Sequence, residues 1–252
     1  MLLEPQDAGL VAPALVCLAA ALFQRLTGFG FSLVATSALG LLWPLRQVVV
    51  LLALPAVCAS GAAFLQVRRD LQLGRVRAYA AWMLGTVPLG VIGLRWLPLP
   101  ILKAALVVQL ATSLLGRRMP HAVRVLQWTP LSGIVAGLAS GALGTPGVAV
   151  VGWVHSQDLT LAQQRAASLL LFTLAGLLRL PLYLLYLIGG SQGAGHSLLP
   201  SVLLLLPILI GVGVGEMVAM RLSEAHARGL ATAGVVLLLV LSVRDLLGGM
   251  AP

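Results

Sequence analysis

Two arginines in this chain stand where a charge is expensive. Arg25 lies in the apolar run that opens the sequence, one turn ahead of Gly28 in Gln24-Arg25-Leu26-Thr27-Gly28-Phe29-Gly30-Phe31, and Arg179 lies mid-run in Leu177-Leu178-Arg179-Leu180-Pro181. An unpaired guanidinium in such surroundings needs a partner, and its planar fork suits the oxygens of a small anion. The neighbouring glycines supply the rest of that chemistry. Gly28 and Gly30 interrupt a helix, and backbone N–H groups freed at a helix break hold negative charge. A weaker relative of the turn returns at Ser140-Gly141-Ala142-Leu143-Gly144-Thr145-Pro146-Gly147. The chemistry is therefore anion binding rather than bond-making. Its candidate residues are Gln24, Arg25, Thr27, Gly28, Phe29 and Gly30 on the first turn, Gly144, Thr145, Pro146 and Gly147 on the second, and Arg179.

Each candidate has a plainer reading. Arg25 can snorkel or bond a backbone carbonyl, and Arg179 can pair with Glu216, a carboxylate inside another apolar run. Glu216 can instead pair with Arg221 at its segment end, or carry a coupling proton. Gln24, Gln47, Gln163 and Gln164 recur beside the turns, as ligands or as helix caps. Arg46 and Arg165 open helices, where topology signalling explains them as well as substrate capture does. A serine and histidine dyad of Ser140 and His155 would mark an intramembrane hydrolase. Such a serine needs an activating base on a facing helix, and His155 sits at the polar end of its own segment, so no enzyme is expected. The four histidines show no metal-ligand spacing, and neither metal nor cofactor is implied.

The elements that position these residues are membrane helices. With 60% hydrophobic and 9% charged residues, and a mean hydropathy of +1.03, the chain lies outside the range of soluble domains. Apolar runs fall at residues 8–43, 47–66, 78–97, 99–115, 129–155, 166–188, 197–220 and 229–247, most of them suited to one crossing of about 20 residues. Glu4 and Asp7 precede the first run without a basic stretch, so no cleaved signal peptide is expected. The net charge of +9 is spread singly and in pairs at run ends, which fits membrane topology and not a nucleic-acid surface. Cys17 and Cys58 read as small core hydrophobes. Trp43, Trp82, Trp96, Trp128 and Trp153 read as an interfacial belt. Gly85, Gly90, Gly93, Gly211 and Gly215 read as sites of close helix approach, and Pro55, Pro88, Pro181 and Pro207 as kinks.

An internal repeat organises the runs. One offset lays Gly28 on Gly144, Gly30 on Pro146, Phe31 on Gly147 and Gln47 on Gln163; a longer one lays Gly90 on Gly215, Leu97 on Leu222 and Lys103 on Arg228. The difference fits the polar loop 189–197, which the first half lacks. The expected organisation is one transporter domain over 1–252, with repeat one at 8–116, a basic linker at 117–128 and repeat two at 129–248. If the first and fifth runs are re-entrant hairpins, six crossings remain, three per repeat. One side then carries Arg68, Arg69, Arg75, Arg77, Arg117, Arg118, Arg124, Arg165, Arg221 and Arg228, and the other only Arg46, Arg95, Lys103 and Arg244. By the positive-inside rule the first side is cytoplasmic and both termini lie opposite. An odd number of crossings per repeat inverts the second half against the first.

The run Leu26-Thr27-Gly28-Phe29-Gly30-Phe31-Ser32-Leu33-Val34-Ala35, followed by Pro44-Leu45-Arg46, resembles the first-half signature of the sulfite exporter TauE/SafE family. In the second half, Gly144-Thr145-Pro146-Gly147 resembles that family's Gly-Gly-Pro-Pro turn, departing at Thr145 and Gly147. Arg165-Ala166-Ala167-Ser168 resembles its Arg-Ala-Thr segment, departing at Ser168. The resemblance implies a secondary transporter of sulfite, sulfonates or related organic anions, usually coupled to an ion gradient, and adds Arg165 and Ser168 to the substrate-binding candidates. The expectation is an all-α, polytopic helical protein of the inner membrane. It has about eight hydrophobic segments in two inverted repeats with interrupted helices at the start of each. A small anion, a coupling proton or sodium ion and the lipid bilayer are its partners, with a passive anion channel as the nearest alternative. Nothing in the residues sets the oligomeric state.

Overall fold

The computed structural model describes residues 11–27, 30–118, 127–188, 198–219 and 224–248. Every regular element among them is a helix: α1 (Val11–Thr27), α2 (Phe31–Gly40), α3 (Leu45–Leu51), α4 (Ala53–Val67), a 3-10 turn (Arg68–Asp70), α5 (Leu73–Trp96), α6 (Leu99–Arg118), α7 (Thr129–Leu143), α8 (Gly147–His155), α9 (Leu161–Ile188), α10 (Leu198–Leu203), α11 (Leu205–Ala219) and α12 (Glu224–Gly248). Among these, α5 and α9 are individually long and apolar enough to cross a membrane, and α3 with α4 forms a third such stretch, bent by 41°. Exposed Leu89, Ile92, Leu177, Leu185, Leu237 and Val240 give the outer surface the apolar character a lipid-facing shell needs. The chain is an all-α, multi-pass membrane protein.

The first and fifth apolar runs are interrupted where the glycines predict. α1 gives way to α2, and α7 to α8, and the two members of each pair pack together. Two further breaks, at Leu52 and Leu204, divide runs that read as continuous. Proline explains both. A proline removes the bond to the carbonyl four residues back, and Pro55 and Pro207 stand four residues after Leu51 and Leu203. The carbonyl freed at Leu51 is covered from the other half of the chain, because the Ser201 hydroxyl donates to it at 2.9 Å. Pro88 and Pro181 lie inside helices that remain unbroken.

Contacts between the halves come in matched pairs. α5 packs along α7 as α1 packs along α11, α5 meets α9 as α11 meets α4, and α4–α9 and α6–α12 pair directly. The last pair is bridged by Lys103 Nζ and Asp245 Oδ2 at 2.6 Å. Glycine sets the closeness of α5 and α7. A Cβ on Gly90 would collide with the Leu138 carbonyl, one on Gly137 with Thr86 Oγ1 and the Met83 carbonyl, and one on Gly141 with the Val87 carbonyl. Gly211 meets the Leu18 carbonyl in the same way. Gly85 departs from the expectation, with open space around it, and Gly93 meets only Leu97 one turn on. Trp153 is also a correction. It is 2% exposed, stacks on Tyr79 at 4.3 Å between centroids and donates to Thr129 Oγ1 at 2.9 Å, because α8 turns it into the core. Trp82, Trp96 and Trp128 are exposed.

Candidate functional site

Both interrupted helices open on one shared cavity. The start of α2 contributes Gly30, Phe31, Ser32 and Leu33, and the α7–α8 turn contributes Gly144, Thr145, Pro146, Gly147 and Val148. Arg179 of α9 completes it, with Gln24, Ala56, Ser60, Gln109 and Phe172 around the wall. The first intrahelical bond of α2 runs from Val34 N to Gly30 O at 2.9 Å, and that of α8 from Val150 N to Pro146 O at 3.2 Å. The N–H groups ahead of those bonds have no intrahelical acceptor and carry the positive end of each helix dipole. Two such ends on one cavity present unpaired N–H groups and positive dipole ends, the chemistry that suits an anion, before any side chain is counted.

Left-handed glycines shape both ends. Gly30 has φ of 102° and caps α2, while Gly144 has φ of 72° and ends α7. The two are not aligned by the repeat, which lays Gly30 on Pro146; the second turn places its reversal two residues earlier. At Gly144 a Cβ would also come within 3.2 Å of Arg179 Nη1.

Arg179 is 3% exposed. Its Nη1 donates to the Ser140 carbonyl at 3.2 Å, and its guanidinium carbon lies 5.9 Å from the Tyr183 ring centroid, within cation–π range. Tyr183 in turn donates to the Gly141 carbonyl at 2.6 Å. One edge of the fork is thus fixed on the negative end of α7, while Nε has no partner among the described residues. A buried guanidinium with donor capacity to spare, lining the same cavity as two helix N-termini, has the chemistry to accept an oxyanion. Thr145 Oγ1 lies 2.6 Å from Gln109 Oε1, to which it donates, fixing the turn to α6.

Seven of the residues singled out in the sequence come together here: Gln24, Gly30, Gly144, Thr145, Pro146, Gly147 and Arg179. Arg165 lines a neighbouring cavity instead, and Ser168 is buried on α9 but lines neither. Gly28, Phe29 and the side chains of Arg25, Thr27 and Glu216 lie outside the described residues. Gln163 and Gln164 cap α9: the Thr160 amide donates to Gln163 Oε1 at 3.0 Å, and Gln164 Nε2 donates to the Leu159 carbonyl at 3.0 Å. Ser140 and His155 do not pair: Ser140 is fully buried, its Oγ without a hydrogen-bond partner among the described residues, and His155 is exposed at the end of α8. Gln109, Ser60 and Phe172 were not singled out in the sequence. Gln109 carried a usable signal, a lone amide inside the apolar run 99–115, whereas Ser60 and Phe172 are ordinary in their segments.

A search of curated proteins and a search of solved structures returned no match. A family model does match, that of the sulfite exporter TauE/SafE, over residues 13–244. Those bounds take in both interrupted helices, Arg179 and nearly every described element, and the chain belongs to the sulfite exporter TauE/SafE family of membrane transporters.

Proposed function

We propose that this chain is a secondary transporter that carries a small oxyanion, of the sulfite, sulfonate or short carboxylate class, across the inner membrane. The observation that carries the reading is the convergence of two helix N-termini and the half-committed Arg179 fork on one cavity. Each element is matched to delocalised negative charge held by several oxygens. Family membership supports the sulfur-anion class. The matched contacts of α1–α11 with α5–α7, and of α4 with α9, support two repeats at 8–116 and 129–248 that move against each other around the site. A coupling proton or sodium ion would drive the flux, with Glu216 the candidate for the proton.

In this mechanism the anion replaces its water shell with backbone N–H groups from α2 and α8 and with Arg179 Nε. The Gly144 turn keeps Arg179 within reach while leaving no side chain between guanidinium and ligand. Gln24 and Gln109 add amide donors at the wall. The test is flux of sulfite, short sulfonates and carboxylates in proteoliposomes under separately imposed proton and sodium gradients, comparing wild type with Arg179→Gln. Gradient-driven flux of one anion, lost in the variant, is the expected result. Flux that stays proportional to the anion gradient alone and is unaffected by either ion would favour a passive channel, and no flux from folded protein would overturn the reading for that panel.

A further inference from the structure

Ser37 of α2 and Ser242 of α12 are 1% and 6% exposed, and neither hydroxyl has a hydrogen-bond partner among the described residues. Hydroxyls elsewhere in the bundle behave differently. Ser60, Thr112, Ser113 and Thr173 each donate to a carbonyl of the preceding turn of their own helix. Ser37 and Ser242 instead line one small cavity, with room for about one water-sized guest. A buried polar group without a partner is costly, so two of them on one cavity point to a guest that engages both.

The rest of the wall sets the chemistry of that guest. Asp245 and Lys103 line it, joined by their 2.6 Å ion pair, and Gly40 and Leu41 bring in the C-terminal end of α2. Apart from the Lys103 ammonium, the polar wall offers oxygens: two hydroxyls, a carboxylate and the negative end of a helix dipole. Oxygens gathered at the C-terminal end of a broken helix suit a sodium ion. Lys103 is a tethered cation already drawn to the same carboxylate.

α2 joins this cavity to the anion site. Phe31, Ser32 and Leu33 at its start line the anion cavity, and Ser37 and Gly40 toward its end line this one. Its 10 residues span about 15 Å. The anion cavity thus lies at the positive end of α2 and the smaller cavity at the negative end.

We propose that Ser37 Oγ, Ser242 Oγ and the Asp245 carboxylate bind one dehydrated sodium ion, which competes with Lys103 for Asp245. That this sodium is coupled to anion transport rests on the carrier reading above. Each ion favours the placement of α2 that the other also needs, so by linkage each raises the affinity for the other.

The test is equilibrium binding of radiolabelled sodium to the full chain in lipid nanodiscs, with N-methyl-D-glucamine chloride holding the ionic strength. Wild type is expected to bind one sodium per chain. Ser37→Ala, Ser242→Ala and Asp245→Asn are each expected to weaken that binding by about tenfold. Lys103→Ala, which frees the carboxylate, is expected to tighten it by about threefold, a change of sign that a purely structural ion pair would not give. Without anion, Arg179→Gln binds sodium as wild type does. With sulfite present, wild type is expected to bind sodium about fivefold more tightly, and Arg179→Gln to show no such gain. No saturable sodium binding to folded wild type, or binding that survives Ser37→Ala combined with Ser242→Ala, overturns the site and leaves the anion reading intact; the two hydroxyls then share a water only. Sulfite binding that leaves sodium affinity unchanged overturns the coupling. Sodium bound as expected by a chain that carries no sulfite, sulfonate or carboxylate supports the site and overturns the carrier reading.

Discussion

At the scale of single residues the site depends on one guanidinium and one glycine. The Ser140 carbonyl that Arg179 engages also accepts from the Gly144 amide at 3.0 Å and from Tyr183 Oη at 3.3 Å, so removing the arginine leaves no orphaned carbonyl. Arg179→Gln is therefore expected to fold and to weaken anion affinity by roughly 10- to 150-fold, the equivalent of a charged hydrogen bond of about 1.5–3 kcal/mol. Arg179→Lys keeps the charge but not the fork, and its affinity is expected to fall between the two; binding isotherms check both. Gly144→Ala acts differently. It forces a Cβ into left-handed backbone, at about 1–2 kcal/mol, and presses it against Arg179 Nη1. Lowered thermal stability together with weakened anion binding is expected, measured by melting with and without anion.

At the scale of elements the fold turns on helix breaks and on how tightly helices meet. Pro55 opens the α3–α4 bend and Ser201 covers the carbonyl it frees. Ser201→Ala is expected to cost about 1 kcal/mol in wild type, and less in a Pro55→Ala background, where the restored amide N–H can reach the same carbonyl. A double-mutant cycle on denaturation in detergent measures that difference. The α5–α7 contact is the tightest test of packing. Gly137→Ala and Gly141→Ala each place a methyl against backbone or Thr86 of α5, and each is expected to destabilise by about 1–3 kcal/mol, read from the same denaturation curves. Lys103→Ala breaks an ion pair that is partly exposed, and its effect on stability should be under about 1 kcal/mol.

At the scale of the whole molecule the open quantity is orientation. If the first and fifth runs re-enter, the basic residues divide ten against four, and we propose that the Arg68–Asp70 turn and the start of α9 face the cytoplasm with the far end of α5 opposite. Arg69→Cys is then expected to react with an impermeant thiol reagent only in inverted vesicles, and Trp96→Cys only in intact cells. Labelling of both from one side would contradict a single crossing by α5, the 24-residue helix between them.

The membrane class, the helical content and the two interruptions were legible in the residues alone. Hydropathy and glycine placement are local properties, and a bilayer turns them directly into spans and breaks. The breaks at Leu52 and Leu204 were half legible: Pro55 and Pro207 announced a disturbance, but proline inside α5 and α9 leaves those helices whole, so the outcome depends on what packs beside each one. Charge at Arg165 and Arg179 was equally visible in sequence, yet only the tertiary structure set them on separate cavities, because which helices pack against each stretch of α9 is decided by tertiary contacts. Gln109 and Phe172 entered the site for the same reason. The proposed site, made of helix ends, belongs to no single segment: its cavity lies where α2, α8 and α9 meet, and helix approach in this fold depends on glycine faces such as Gly137 and Gly141, whose role appears only once α5 is laid against them.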